Sequence, residues 1–132
     1  MGELVKNLGY LAIASRMKML SERLMKDVSR IYAEQGIHFE PRWFLVYHQL
    51  LLKSPMAITE IAGNIGLSYP AVNQIASEME KSGITGSRHD QEDGRKRLLY
   101  LTDEGQSLAE RLKPIWVDIE LANRAMFRSA SH

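Results

Sequence analysis

The chain has 132 residues, 45% of them hydrophobic and 25% charged, with 17 Lys and Arg against 16 Asp and Glu and a formal net charge of +1. That is one ordinary globular domain, long enough to bury a core without covalent staples. The absence of cysteine excludes disulfides, thiolate metal ligands and a cysteine nucleophile or redox sensor. No apolar run has the length of a membrane span, and the opening residues include Glu3, Lys6 and Asn7 with no cleavage-type signal after them. A cytoplasmic protein with no membrane partner is therefore expected. The near-zero net charge gives no global argument for nucleic acid, so any such binding has to rest on local charge.

The first predicted element is one long helix from Glu3 to about Glu34. Met17, Leu20, Leu24, Val28 and Ile31 recur at steps of three and four along it, which marks one apolar face. Its length suggests packing against a partner subunit. Gln35-Gly36 closes it. Pro41 suits the first turn of a second helix that carries Trp43, Val46, Tyr47, Leu50 and Leu51 and stops at Ser54-Pro55.

Next come two short helices in close succession. Ile58, Ile61, Ala62 and Ile65 share one spacing, and Val72, Ile75, Ala76 and Met79 repeat it. Between them, Gly66 can adopt positive φ, Leu67 can plug the corner, and Ser68 can cap the following helix. Ala62 is small enough for a steep crossing and Val72 fills it, as a helix-turn-helix requires. An αα-hairpin in an ordinary helical domain would show the same apolar spacing, and the next segment weighs against it. After Gly83, the run Ile84 to Arg88, a polar stretch His89 to Gly94, and Arg95 to Leu101 read as a β-hairpin with a charged tip. Arg95, Lys96 and Arg97 are the densest basic cluster of the chain, and Asp93 is close enough to hold Arg95 or the turn. Thr102 then caps a last helix, with Asp103 and Glu104 in its first turn. Leu108, Leu112, Ile115, Ile119 and Ala122 form its apolar stripe, and Pro114 is expected to kink it. The serine-containing tail from Ser129 is expected to fray.

The fold class is thus mainly α with a small β-hairpin wing, a winged helix-turn-helix at about 41–102 flanked by long helices at about 1–35 and 103–132. On the second helix of the motif, Ser68, Tyr69, Pro70, Asn73, Gln74 and Ser77 are left free of the core and face DNA in this reading. Asn and Gln suit bidentate contacts to adenine, and Tyr69 or Pro70 suits a thymine methyl or a phosphate. Arg88, Arg95, Lys96 and Arg97 on the wing suit phosphates or a minor groove. Arg16, Met17, Trp43 and Tyr47 are candidates for an effector pocket, although apolar residues at helical spacing are more often plain core. The histidines lack metal-ligand spacing, and His48 is expected to be partly buried and hydrogen-bonded. No metal, cofactor or enzymatic motif is found.

From about Pro41 to Gly105 the chain resembles the multiple antibiotic resistance regulators, the MarR family. The run Asp90-Gln91-Glu92-Asp93-Gly94-Arg95-Lys96-Arg97-Leu98-Leu99-Tyr100-Leu101-Thr102-Asp103-Glu104-Gly105 is similar to that family's wing signature, an acidic turn with Asp-x-Arg leading into Leu-Thr-x-x-Gly. The segments Leu8 to Tyr32 and Ile58 to Arg97 are also similar to the regulatory half of MarR–acetyltransferase fusions. The resemblance implies a homodimer held by the terminal helices, a near-palindromic double-stranded DNA operator, and release by a small aromatic or phenolic effector. Gly86 and Ser87 stand where that family commonly has bulkier or basic residues, which predicts a weak first wing strand. Two other readings stay open: a winged protein-interaction module that does not read DNA, and the regulatory half of an acetyltransferase system.

Overall fold

The computed structural model describes residues 2–130. The chain divides into two compact units, one ending at Pro41 and the other beginning at Arg42.

In the first unit the single long helix expected from the sequence is interrupted. Helix α1 spans Glu3–Leu8, a 3-10 turn covers Gly9–Ala12, and α2 runs Ile13–Glu34. The cause is Gly9, whose φ of 57° takes the backbone off the α-helical track. The apolar face is graded along α2. Met17 and Leu20 are exposed, Leu24, Val28 and Ile31 are half-buried, and Tyr32 is buried. The Tyr32 and Phe39 rings meet edge-on at 5.3 Å. Gly36 closes the helix with a positive φ of 70°, and the Ile37 N–H donates back to the Tyr32 carbonyl at 2.9 Å.

The second unit is the winged module. A 3-10 turn at Pro41–Trp43 leads into α3, Phe44–Leu52. Then come β1 (Met56–Ala57), α4 (Ile58–Ile65), α5 (Tyr69–Lys81), β2 (Thr85–His89), β3 (Arg97–Leu101) and α6 (Asp103–Ala130). The sheet is antiparallel in the order β1-β3-β2. Strand β1 pairs Met56 with Leu99 and Ala57 with Leu98. It is too short to reach Leu101, whose N–H instead donates to the Ser54 hydroxyl at 3.1 Å. The core lies where α3, α4, α5 and α6 close on one face of β3. Val46, Tyr47, Ile61, Val72, Ala76, Met79, Leu99 and Leu112 are all essentially inaccessible to water.

Helix α6 is continuous across Pro114. Along its apolar stripe Leu112 and Ile115 are buried, Leu108 and Ile119 half-buried and Ala122 exposed, and beyond Ile115 the side chains of Val117, Leu121 and Phe127 are exposed. Ser129 and Ala130 belong to α6, and Ser131 and His132 lie outside the described residues. No described helix is long and apolar enough to cross a membrane.

The first wing strand is intact despite Gly86. Gly86 pairs with Tyr100 on β3, and a Cβ at Gly86 would collide with the Tyr100 ring. The ring covers the bare backbone and replaces the missing side chain. One base of the wing is imperfect: Thr85 is 4% exposed and its hydroxyl has no hydrogen-bond partner. An unpaired buried hydroxyl costs roughly 1–3 kcal/mol, and an isosteric methyl removes that cost. Thr85→Val is therefore expected to leave stability unchanged or raise it by about 1 kcal/mol, read as an unchanged or higher urea midpoint. A fall of similar size would show that the hydroxyl is satisfied in solution.

Candidate nucleic-acid interface

The helix-turn-helix is α4, its turn, and α5. Gly66 adopts φ 73° and its N–H donates to the Ala62 carbonyl at 2.9 Å, ending α4. The Ser68 hydroxyl accepts from the Ala71 N–H at 3.3 Å and caps α5, with Pro70 in the first turn. Ala62 and Val72 are buried at the crossing. Leu67 does not plug the corner, for it is 43% exposed. Val72 already fills that space from α5.

The outward face of α5 begins with Tyr69, Pro70 and Gln74, all exposed, while Asn73 and Ser77 are half-buried. The Ser77 hydroxyl donates to the Asn73 backbone carbonyl at 3.0 Å, so it is turned onto its own helix. Two acidic side chains anchor α5 from opposite sides. Glu78 accepts from the Arg42 guanidinium at 2.9 and 2.7 Å and from the Trp43 indole N–H at 2.8 Å. Glu80 accepts from Arg97 at 2.7 Å, and the same guanidinium donates to the Asn73 side-chain oxygen. Neither anchor was legible in the sequence, because each joins residues far apart in the chain with no local pattern.

At Glu78, burial pushes the carboxyl pKa up. The bonds from Trp43 and Arg42, the Arg42 charge and a Gln74 contact outweigh it, and the net shift is downward from 4.5. A lowered folded value means that Glu78 stabilises the fold above the unfolded carboxylate range. That stabilisation is lost as pH falls through the folded value. Stability is therefore expected to fall between about pH 6 and pH 3 by more in wild type than in Glu78→Gln. Parallel urea midpoints for the two proteins across that range would contradict it.

The wing tip is ordered by its own acids. The Asp90 carboxylate accepts from the Glu92 N–H at 2.8 Å, and Asp93 accepts from the Arg95 N–H at 3.1 Å. The Arg95 guanidinium stays 95% exposed, with its Nε 3.5 Å from Asp93. Arg88 and Lys96 are also exposed, and the Arg88 guanidinium carbon lies 5.8 Å from the Tyr100 ring centroid. Arg95, Lys96 and Arg88 thus offer solvent-exposed positive charge. Arg97 differs from the sequence expectation: its side chain is only 22% exposed and is engaged by Glu80 and Asn73. It opens β3 beside α5, where a carboxylate is nearer than solvent.

The four residues proposed for an effector pocket have separate settings. Arg16 and Met17 line an open apolar hollow of about 220 Å³ in the first unit, together with Gly9, Tyr10, Ile13 and Leu20. In the winged unit Trp43 and Tyr47 are buried core. Trp43 serves Glu78, and the Tyr47 hydroxyl donates to the Gly105 carbonyl at 2.6 Å. Burial pushes the Tyr47 pKa from 10.0 up to about 12, so it remains a neutral donor. His48, expected to be partly buried, is exposed beside Phe44 and Trp116, with ring centroids 5.6 and 6.2 Å away. Among the described residues no group of three or more His, Cys, Asp or Glu is placed to hold a metal ion.

A capped helix-turn-helix packed with a three-stranded sheet whose hairpin has a basic tip defines a winged-helix protein. Its fold is that of the MarR/EmrR family of transcriptional regulators. The structure superposes on a MarR/EmrR family transcriptional regulator from Acinetobacter sp. ADP1 with a TM-score of 0.71, at 23% identity over 89% of this chain and 82% of that one. It superposes on MepR of S. aureus, solved as a DNA complex, with a TM-score of 0.74, at 16% identity over 86% and 82% of the two chains. In sequence it is 26% identical over 106 residues to the uncharacterized HTH-type transcriptional regulator YkoM of Bacillus subtilis (strain 168). That match covers 80% of this chain and 65% of the relative, so the chain spans somewhat less than two thirds of that protein's length. No family model matches the chain.

Proposed function

We propose that the chain is a sequence-specific double-stranded DNA-binding transcription regulator, acting in the cytoplasm as a homodimeric repressor and not as an enzyme. The observation that carries this reading is the pairing of a capped, outward-facing α5 with a wing tip whose Arg95 and Lys96 side chains are exposed to solvent. A helix presented in this way enters a major groove, and the neighbouring wing meets phosphates or the minor groove. Tyr69, Pro70, Asn73 and Gln74 are the base-facing set, with Ser68 at the phosphate-facing cap. Arg88, Arg95 and Lys96 are the backbone-facing set. In this reading Ser77 and Arg97 support the interface from within.

Dimerisation is supported by the apolar side chains left uncovered in each unit, such as Leu11 and Met17 in the first and Leu121 and Phe127 in the second. A two-fold dimer reads half-sites about 10 base pairs apart, hence a near-palindromic operator. The Arg16–Met17 hollow offers an apolar wall and a cation, which suits a small aromatic acid as the releasing effector. The likeness to transcriptional regulators, some of them solved with DNA, supports this reading.

Selection of bound sequences from random duplex DNA tests the proposal. An enriched, near-palindromic site is the expected result. Enrichment of none would leave the winged fold as a protein-interaction module. Sedimentation at micromolar concentration is expected to show a dimer, and a monomer that stays unpaired on DNA would refute the two-fold arrangement.

A further inference from the structure

Asn73 is half-buried on the outward side of α5, beside the first residue of β3. Arg97 spans the gap between them: one guanidinium nitrogen donates to the Asn73 Oδ1 and the other to Glu80 at 2.7 Å. Arginine has donors and no acceptor. The atom that Asn73 turns toward Arg97 must therefore be its carbonyl oxygen, and the orientation of the amide is settled by chemistry. Glu80 balances the charge and holds the guanidinium in place, at 29% exposure for its own side chain. The oxygen is turned to the guanidinium, so the half of the amide that Asn73 presents to a ligand is its NH₂, with two donors.

Resting on the DNA-binding reading above, we infer that Arg97 is a positioning residue that turns the NH₂ of Asn73 toward the base, selecting guanine rather than adenine in the major groove. Recognition of adenine by asparagine needs both halves of the amide, the oxygen accepting from N6 and the nitrogen donating to N7. With the oxygen engaged by a charged donor, the NH₂ meets the base. Guanine offers two adjacent acceptors there, N7 and O6. Adenine offers N7 beside an amino group that opposes a second donor. The wing thereby takes part in base selection without touching a base, by setting which half of a helix side chain is free.

The test is a binding profile over every single-base variant of a selected operator, with thermal melting as the folding control. Wild type, Asn73→Ala, Asn73→Asp and Arg97→Met are compared. Asn73→Ala identifies the dependent base pair, at which wild type is expected to prefer guanine over adenine by about 10-fold. Asn73→Asp keeps an acceptor for Arg97, so its melting temperature should hold while the guanine preference disappears. Arg97→Met frees the oxygen, and the preference at that same position should move toward adenine. Adenine preferred by wild type at the Asn73-dependent position, or a guanine preference that survives Asn73→Asp, overturns this inference and leaves DNA binding standing. A flat Asn73→Ala comparison at every position also overturns it. A wild-type chain that binds no duplex overturns the DNA reading and this inference with it.

Discussion

Replacing Gly105 by alanine is expected to lower the stability of the winged unit by about 3 kcal/mol or more, a large part of what a small domain possesses. A Cβ at Gly105 would run into the Ile84 backbone carbonyl, and it would also come within 3.2 Å of a Leu101 methyl. Backbone cannot move aside as a flexible side chain can, so α6 itself would have to shift. That shift breaks a joint. The Gly105 N–H donates to the Thr102 hydroxyl at 3.1 Å, and that hydroxyl donates to the Gly83 carbonyl at 2.7 Å. The Thr102 N–H donates to the Ile84 carbonyl at 3.2 Å, and the Gly105 carbonyl receives Tyr47. Through these bonds the start of α6, the end of α5 and the middle of α3 meet at one place. The same chemical change at Gly63 in α4, where a Cβ meets open space, is expected to raise stability by about 0.5–1 kcal/mol. Urea midpoints of the two variants should therefore move in opposite directions. Equal shifts would mean that the contact at Ile84 relaxes without cost.

The Gly105 joint shows what kind of information the sequence carried. The Leu-Thr-x-x-Gly stretch was legible as a motif, and the Thr102 cap as a local rule, because both are written within a few consecutive residues. The same holds for Gly66, Ser68 and the apolar spacing of α4 and α5. What the glycine is for was not legible. Its neighbours across space are Ile84 and Tyr47, and no spacing rule links them to it. Strand β1 escaped for a related reason. At two residues it has no alternation to detect, and it exists because β3 offers an open edge. Gly9 stands inside a helical pattern, where a glycine is often tolerated. At this one the backbone turns to positive φ and the helix breaks.

The candidate site divides along the same line. Tyr69, Pro70, Gln74, Arg95 and Lys96 were readable as polar or exposed positions on known elements, and the structure leaves them exposed. Arg97 and Asn73 are not separable from them by residue type. A basic triplet looks uniform in sequence, yet Arg95 is 95% exposed and Arg97 only 22%. The difference comes from their elements: Arg95 lies in the turn before β3, while Arg97 opens β3 beside a carboxylate of α5. Within one basic cluster, Arg95 remains available to a partner and Arg97 is spent on holding the wing to α5.

That division sets the other large effect expected, on DNA affinity. For a regulator making about 6–10 phosphate contacts, affinity should fall by about 10³- to 10⁵-fold between 50 and 200 mM salt, as counterions are released on binding. Arg95 is the wing residue most able to contribute, its side chain being 95% exposed and held at the turn by Asp93. A hydrogen bond to a charged group is worth about 1.5–3 kcal/mol. Two wings on one duplex should then make Arg95→Ala about 100-fold weaker or more. If Arg95 meets phosphate, specific and random duplexes should weaken together, and the slope of log affinity against log salt should drop by about 2. If it enters the minor groove, the loss should instead concentrate on operators with A·T-rich flanks, whose narrow groove attracts arginine. Arg97→Met should separate from both patterns, because its effect runs through Asn73 and therefore through one base position. Titrations of each variant at several salt concentrations distinguish these outcomes. Wild-type affinity and salt slope in Arg95→Ala would remove the wing tip from the interface and leave recognition to α5 alone.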